Sequence, residues 1–447
     1  RLNKTLTDMS MCVVCALRFT DETSIMVYEK YLTGQKIEGY DAVLNRKRNK
    51  QSPCIACLGL FCHDFYEETV AKISSLILDS GHDSDTFNVS LSLPISFLLR
   101  AYSLSFFVRQ KWPTYCTTEF WPQMSVKELW KNIITPKLAI KIKKNFNPTS
   151  KFDINVEYVK IKKNQISQTA VDKILRSTYR QWLFKDDFPC PPSVPNEVVK
   201  LQNVCMYHAR IFCGGRYNKW SRNVSQARWH TQRKKEVIAS VEEIITDVVK
   251  KAFRATKIKF VAAGREDVDV RCLGRGRPFY LDLYNPQVTK MTQEQLNAVQ
   301  REINTASQGL MRIQHLQLID TSVVSLLKEG AEYKKKSYCA YCVVWGPTPD
   351  LNHLSSLTPF VLAQRTPVRV MHRRPLLTRS RTIHQLSGTI VKAISPDGPS
   401  GTYVKEFVHG DFGRTKPNLG SILGGIKVSV IALDVTDVCL DWPPSEA

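Results

Sequence analysis

Two Cys-x-x-Cys pairs, Cys12 with Cys15 and Cys54 with Cys57, constrain the start of this chain more tightly than any other feature. Each pair sets two thiols at one tight turn. Two such turns brought together supply four sulfurs, the complete shell of a tetrahedral structural zinc. Four unrelated core cysteines are the plainer alternative, and the repeated spacing favours metal. The interval between the pairs exceeds that of a small zinc ribbon, so a whole element is expected inside it. The thirteen cysteines of the chain are too irregularly spaced for a disulfide framework, and cysteines used as metal ligands point to a reducing, intracellular setting. Cys339-x-x-Cys342 lies in the strand-like SYCAYCVVW without a second pair, and core packing is expected there.

With 447 residues the chain has room for two or three domains with buried cores. A net charge of +22 on an otherwise ordinary globular composition implies a polyanionic partner. The charge is clustered. Residues 361–390 hold Arg365, Arg369, Arg373, Arg374, Arg379 and Arg381 and no acid, and a second basic stretch, KLAIKIKKNFNPTSK, spans 137–151. No membrane segment or secretory signal is expected, because the most apolar candidate, 90–108, carries Pro94 and Arg100 and alternates like a strand.

Periodicity gives a coarse organisation. DFYEETVAKISSLILDSG places Val70, Ile73, Leu76 and Ile77 at helical spacing. NVSLSL, AYSLSFFV and DINVEYVKI read as strands, 170–183 as a helix, and FPCPPSVP as a bend. Further on, Val237, Val241, Ile244, Ile245, Val248 and Val249 draw one apolar helical face. KFVAAGREDVDVR reads as a strand, LGRGRP as a turn and FYLDLYNP as the next strand. Thr292 and Gln295 form a capping box for a helix burying Leu296, Val299 and Ile303. MRIQHLQLI, SYCAYCVVW and IKVSVIALDV complete the strands, and SGTYVKEFVHG is a loop feeding a helix. Strands and helices interleave without a βαβ repeat, so the expected class is α/β of the α+β kind, with a mixed, mainly antiparallel sheet flanked by helices. The expected divisions are a zinc-binding module at 1–63, an α/β domain at 64–210 and a second domain at 211–447.

Within GREDVDVR, an extended backbone would turn Arg265, Asp267, Asp269 and Arg271 to one face. A carboxylate between guanidiniums stays ionised even when partly buried, as a carboxylate nucleophile requires. A strand-edge ladder of ion pairs is the plainer reading, and alternation gives Asp267 and Asp269 equal claim. GTYVKEFVHGDFGRTKPNLG offers Lys405 as a partner for a distant carboxylate and Arg414 and Lys416 for phosphate. MHRRPLLTRSR mixes arginines with apolar residues, as loops contacting nucleic-acid backbones do.

These stretches, with LGRGRPFYLDLYNP, KKKSYCAY, HARIFCGGRYNKWSRNVSQARW and the terminal LDVTDVCLDWPP, resemble the pseudouridine synthase ten family, the THUMP-containing tRNA pseudouridine synthases of archaea and eukaryotes. The resemblance is dense from about residue 205 to 444 and looser in the N-terminal half. It implies a THUMP-containing RNA-binding domain at 64–210 and a pseudouridine synthase catalytic domain at 211–447. It places Asp267 at the catalytic aspartate, Tyr338 at the tyrosine that stacks on the target uracil, and Lys405 at the basic partner of the aspartate. Val404 and Leu433 would line the apolar wall of the substrate pocket, with Arg265 beside it. Arg216, Lys219, Arg222, His372, Arg373, Arg374, Arg379, Arg381, Arg414 and Lys416 would contact RNA. The implied substrate is tRNA, modified in the TΨC arm at uridines fifty-five and fifty-four, and other structured RNA is a further partner class. One structural zinc, no organic cofactor, a monomer, and a nuclear and cytoplasmic location complete the expectation. Converting uridine to pseudouridine needs no redox or energy input, and no phosphate loop or Rossmann glycine pattern is found.

Two rival readings are weaker. A zinc nucleobase deaminase would need an H-x-E ahead of the Pro-Cys-x-x-Cys at 53–57. The first histidine is His63, and four sulfurs leave no open position for a catalytic water. A non-catalytic RNA-binding or RNA-processing factor would have no use for Asp267, Tyr338 and Lys405 together.

Overall fold

The computed structural model describes residues 2–33, 35, 53–61, 63–113, 122, 124–159, 189–228, 239–333, 335–390, 394–399 and 402–443. The chain divides into two compact units, Arg1–His208 and Ala209–Ala447.

In the first unit, strands β1 (Thr86–Ser92), β2 (Asn145–Phe146), β3 (Phe152–Val159) and β4 (Lys200–His208) form a sheet in the order β2-β1-β3-β4. β1 runs parallel to β2 and β3, and β4 antiparallel to β3. Period-two alternation sends Phe87, Val89 and Leu91 of β1 and Phe152, Ile154, Val156 and Tyr158 of β3 into one core. The helix Val126–Ile142 packs into that core through Leu129, Trp130, Ile133, Ile134 and Leu138. It starts at a capping box: the Ser125 hydroxyl accepts from the Glu128 N–H, and the Glu128 carboxylate accepts from the Ser125 N–H. The helix His63–Asp79 buries Val70, Ile73 and Ile77, while Leu76 sits on its flank, 38% exposed.

AYSLSFFV is not a strand but the middle of a helix, Ser96–Lys111. The two-residue alternation of Tyr102, Leu104 and Phe106 is local. Over a longer window Phe97, Arg100, Leu104 and Val108, all buried, recur at helical spacing. An arginine holds one of those positions because its guanidinium has acceptors: Nη1 donates to the carbonyls of Ile55 (2.9 Å) and Ser193 (2.8 Å). The helix expected at 170–183 lies outside the described residues.

The second unit comprises β5 (Ile211–Lys219), β6 (Val224–Ser225), β7 (Ala239–Ser240), β8 (Lys257–Ala262), β9 (Val270–Tyr284), β10 (Met311–Ile319), β11 (Lys335–Trp345), β12 (Phe360–Arg365), β13 (Thr378–Ile383), β14 (Gln385–Gly388), β15 (Ile394–Pro399), β16 (Thr415–Lys416) and β17 (Lys427–Val438). The large sheet runs β10-β5-β9-β17-β11-β15-β14, with β8 also on β9. Among the described pairs of this sheet only β17 with β9 is parallel. β12, β13 and β16 make a small separate sheet, and β6 pairs with β7. The helix Val241–Phe253, capped by Ser240, and the helix Gln293–Ala306, opened by the Thr292–Gln295 capping box, share one core with Tyr217, Phe279, Leu281 and Ile313. A second core joins Val404, Phe407 and Val408 of the helix Val404–His409 to Val270, Ala340, Leu433 and Val435 of the sheet. The unit is a mixed, mainly antiparallel sheet flanked by helices.

LGRGRP is not a turn either. β9 passes through it as a distorted strand, with the register on β5 shifting between Tyr217 and Lys219. Gly274 makes this possible. Its φ is +56°, and a Cβ there would lie 2.0 Å from the Thr436 carbonyl oxygen.

Candidate active site

The segment GREDVD is a loop rather than a strand: β8 ends at Ala262 and β9 begins at Val270. Its shape is set from below. Glu266 points inward, with its side chain 0% exposed, and its carboxylate lies 2.7 Å from Arg277 Nε. The Tyr217 hydroxyl donates to both Glu266 oxygens, at 2.8 and 3.0 Å. Gln226 Nε2 donates to Tyr217 Oη (2.7 Å) and to the Gly264 carbonyl (2.9 Å). Lys219 Nζ donates to the carbonyls of Val268 (2.7 Å), Val224 (2.8 Å) and Asp267 (3.2 Å). Arg222 Nη1 donates to the carbonyls of Asp269 (2.7 Å) and Leu433 (2.9 Å). Two cations from β5 and its exit therefore hold the carbonyls of three successive loop residues.

The carboxylates of Asp267 and Asp269 meet Arg369, in the segment Val368–Arg373, and Lys405, on the helix Val404–His409. Lys405 Nζ stands 2.7 and 2.9 Å from the Asp269 oxygens and 3.4 Å from Asp267 Oδ2. Partial burial pushes the Asp269 carboxyl upward, but the Lys405 ammonium outweighs it and holds the group below the usual carboxylate range. Asp267, 37% exposed, meets Arg369 Nη1 at 3.0 and 3.1 Å. Arg369 Nε is in turn 2.5 Å from Oε1 of Glu406, whose side chain is 2% exposed. The loop thus offers one half-open carboxylate between two cations.

Beside it lies an apolar wall. Val404 and Leu433, both buried, belong to one core, and Tyr338 packs against it. Tyr338 faces Val435 across the β11–β17 pairing. Burial pushes its phenol up, with Arg277 opposing, so the hydroxyl stays protonated through neutral pH. The structure brings Lys405 to Asp267, and gathers Val404, Leu433 and Tyr338 into one core that the helix carrying Lys405 helps to form. Arg265 is exposed on the same loop.

The expected RNA-contacting residues divide sharply. His372, Arg374 and Lys416 are exposed, and Arg379 and Arg381 half-buried on β13. The side chain of Arg373 lies outside the described residues. Arg414 is tied to the Thr366 carbonyl at 2.7 and 3.0 Å. Arg216 and Lys219 differ from the expectation, since both are buried. The Arg216 guanidinium donates to the carbonyls of Arg275, Gly276, Val438, Leu440 and Trp442. Arg222 is also engaged, through the two carbonyls above and Asp434 Oδ1 at 2.6 Å. These three cations tie the fold together, because a strand interior full of carbonyl acceptors gives them partners that solvent phosphate would otherwise supply. Arg369, Glu406 and Glu266 are the residues that sequence reasoning missed. In the sequence Arg369 stands out only as one of the clustered arginines of 361–390, and the inward turn of Glu266 follows from the loop, which alternation does not foresee.

In the first unit Cys12, Cys15, Cys54 and Cys57 are all buried, with the four sulfurs within 4.8 Å of one another. The 3.7 Å between Cys12 Sγ and Cys57 Sγ matches the edge of a tetrahedron, about 3.8 Å, built on zinc–sulfur bonds near 2.3 Å. Backbone N–H groups of Cys12 and Ala56 point at Cys54 Sγ, at 3.2 and 3.4 Å, as they do towards thiolates. None of the four is in a disulfide. The cluster fits a metal ion.

Known proteins match along both units. The family model described as "Pus10, C-terminal" matches residues 212–439, and "Eukaryotic Pus10, N-terminal" matches 54–165. The chain is 36% identical over 427 residues to the "tRNA pseudouridine synthase Pus10" of Xenopus laevis, covering 88% of this chain and 81% of that protein. It is 31% identical over 430 residues to the protein of that name from Homo sapiens, covering 89% and 80%. The Thermofilum pendens protein is 36% identical over 244 residues, covering 52% and 53%. With the second unit matched almost end to end and the vertebrate relatives matched over most of their length, this chain belongs to the Pus10 family of pseudouridine synthases.

Proposed function

We propose that this chain is a tRNA pseudouridine synthase that acts in the TΨC arm, at uridine fifty-five and also at fifty-four, with Asp267 as the group that engages C1′ of the flipped nucleotide. The observation carrying this reading is the half-open Asp267 carboxylate set between Arg369 and Lys405 at the edge of the Tyr338–Val404–Leu433 wall. The names of the relatives supply the substrate class.

The chemistry is an isomerisation. The N1–C1′ bond breaks, the uracil turns, C5 bonds to C1′, the C5 proton leaves and N1 gains one. A carboxylate beside C1′ attacks or stabilises the positive charge that develops on the sugar, as in glycoside chemistry. In this reading Asp267 does this as nucleophile, and the two cations fix its orientation. The ring of Tyr338, neutral at working pH, gives the detached uracil a stacking face, and Val404 and Leu433 keep water from it. Extruding the uridine costs a few kcal/mol, offset by stacking and by phosphate contacts from exposed Arg265, His372, Arg374 and Lys416. In this reading the first unit, including a THUMP region, grips the RNA elsewhere. Zinc on the four cysteines stiffens it. The protein works as a monomer in nucleus and cytoplasm.

Incubating unmodified tRNA transcript with the protein and mapping pseudouridine tests the reading. Pseudouridine in the TΨC arm with wild type, and none with Asp267→Asn at near-normal RNA affinity, is the expected result. Binding without any conversion by wild type would instead mark a non-catalytic RNA-binding factor.

A further inference from the structure

We propose that Arg369 is a positioning residue for the Asp267 carboxylate, and that the buried carboxylate of Glu406 holds Arg369 in place. The proposal rests on the pseudouridine synthase reading above and adds a second cation to the single basic partner, Lys405, that the family pattern implies.

The geometry favours Arg369 over Lys405 as the residue that fixes Asp267. Arg369 Nη1 reaches both Asp267 oxygens, at 3.0 and 3.1 Å. Lys405 is committed to Asp269 at 2.7 and 2.9 Å and touches Asp267 only at 3.4 Å. A planar guanidinium gripped at two edges also defines a direction, which an ammonium on a flexible stem does not. The second edge is gripped by Glu406, 2.5 Å from Nε and almost wholly out of water. The Arg369 guanidinium carbon lies over the Tyr403 ring, 5.7 Å from its centroid.

The backbone carrying Arg369 is held as well. In the short 3-10 segment Val368–Arg373 the Val368 N–H donates to Asp411 Oδ2 at 3.2 Å, and the preceding Thr366 hydroxyl donates to the Pro375 carbonyl at 2.6 Å. Glu406 neighbours Lys405 on the helix Val404–His409, so one helix supplies the direct cation and the anion behind the other. His372 and Arg374, exposed in and beside the same segment, put candidate RNA contacts on the support that aligns Asp267.

The test uses the full chain, an unmodified tRNA transcript and single-turnover rates, with RNA affinity and melting temperature measured alongside. Arg369→Ala is expected to slow conversion roughly 100-fold, the scale of a misplacement near 1 Å, while affinity holds. It also leaves the buried Glu406 carboxylate unpaired and lowers the melting temperature, so rates are compared well below the melting range of both proteins. Arg369→Lys should remain slow, because charge returns without the fork. Added methylguanidinium should restore part of the Arg369→Ala rate, which a merely structural loss would not allow. Glu406→Gln should slow wild type but add nothing to Arg369→Ala. A wild-type rate for Arg369→Ala, a loss confined to RNA affinity, or additive losses for the two substitutions would overturn the proposal. Should Glu406→Gln fail to fold, the lysine variant and the methylguanidinium rescue decide. A wild-type protein that converts no uridine overturns both this proposal and the functional reading, whereas an active wild type matched by Arg369→Ala overturns this one alone.

Discussion

Arg277 and Glu266 form an ion pair at 2.7 Å with side chains 1% and 0% exposed, and Glu266 directly precedes Asp267 in the chain. Removing one member of such a pair leaves the other charge buried and uncompensated. Glu266→Gln preserves shape but strands Arg277, whose Nη1 is left with the Ala263 carbonyl at 2.8 Å. A loss of about 3–5 kcal/mol in urea unfolding is expected, with activity falling as the loop loosens. A variant as stable as wild type would show that the pair does not anchor the loop.

Lys219 separates an internal support from an RNA contact. Burial, opposed by Glu266, holds its ammonium below the ordinary lysine value, and its partners are main-chain carbonyls of the loop. Lys219→Met should cut turnover while leaving the salt dependence of RNA binding unchanged. A phosphate-contacting lysine would instead lower the log–log salt slope by roughly 0.7 per contact on single-stranded RNA. A shallower slope in the variant would return Lys219 to the RNA surface.

The contrast between these residues and the metal cluster shows what a sequence carries. Four cysteines at repeated spacing announce one another because a shared ligand explains them best, and the fold does bring them together. Helical faces such as Val241–Ile245–Val248–Val249 are equally legible, since burial repeats with the backbone. Short windows mislead where two periods coincide, as in AYSLSFFV, or where a glycine lets a strand continue through a turn-like sequence, as at Gly274. The Asp267 site was half legible. Motif resemblance pointed to Asp267, Lys405 and Tyr338. Arg369 and Glu406 join them through tertiary proximity across more than a hundred residues, and no local pattern records that. Basic composition implies a polyanion partner but does not mark which cations face solvent, because an arginine such as Arg216 can satisfy buried carbonyls as readily as phosphates.

Asp269 provides the control for Asp267. Both carboxylates reach Lys405, but only Asp267 also meets Arg369. Asp269→Asn frees Lys405 to close on Asp267, so its loss should stay within about tenfold, or ~1.4 kcal/mol of barrier. Asp267→Asn should remove detectable conversion. Equal losses in single-turnover assays would refute the assignment of different roles.

Metal removal should act on the first unit. About one zinc per chain is expected in freshly purified, reduced protein. Cys54→Ser should release it and destabilise that unit, because the binding free energy of a structural site is folding free energy. Elemental analysis finding no metal in wild type, or a Cys54→Ser variant that melts like wild type, would count against a structural metal.

Lys336 gives the fold a pH signature of its own. Burial, with the neighbouring Arg277 adding to it, pushes its ammonium from 10.5 down to about 8. Close packing at Gly264 is part of the cause: a Cβ there would lie 2.7 Å from Lys336 Nζ. A depressed lysine means that between pH 8 and 10.5 the unfolded chain binds a proton that the folded chain has released. Stability from this residue therefore rises with pH across that window and is lost again as pH falls through 8. At neutral pH the charged group is retained at a cost of about 3 kcal/mol, the equivalent of the shift. Lys336→Met should thus be more stable than wild type near pH 7, with the advantage shrinking towards pH 10.5. Denaturant midpoints for both proteins across the window measure it. A difference that does not change with pH would mean that Lys336 titrates as an ordinary exposed lysine.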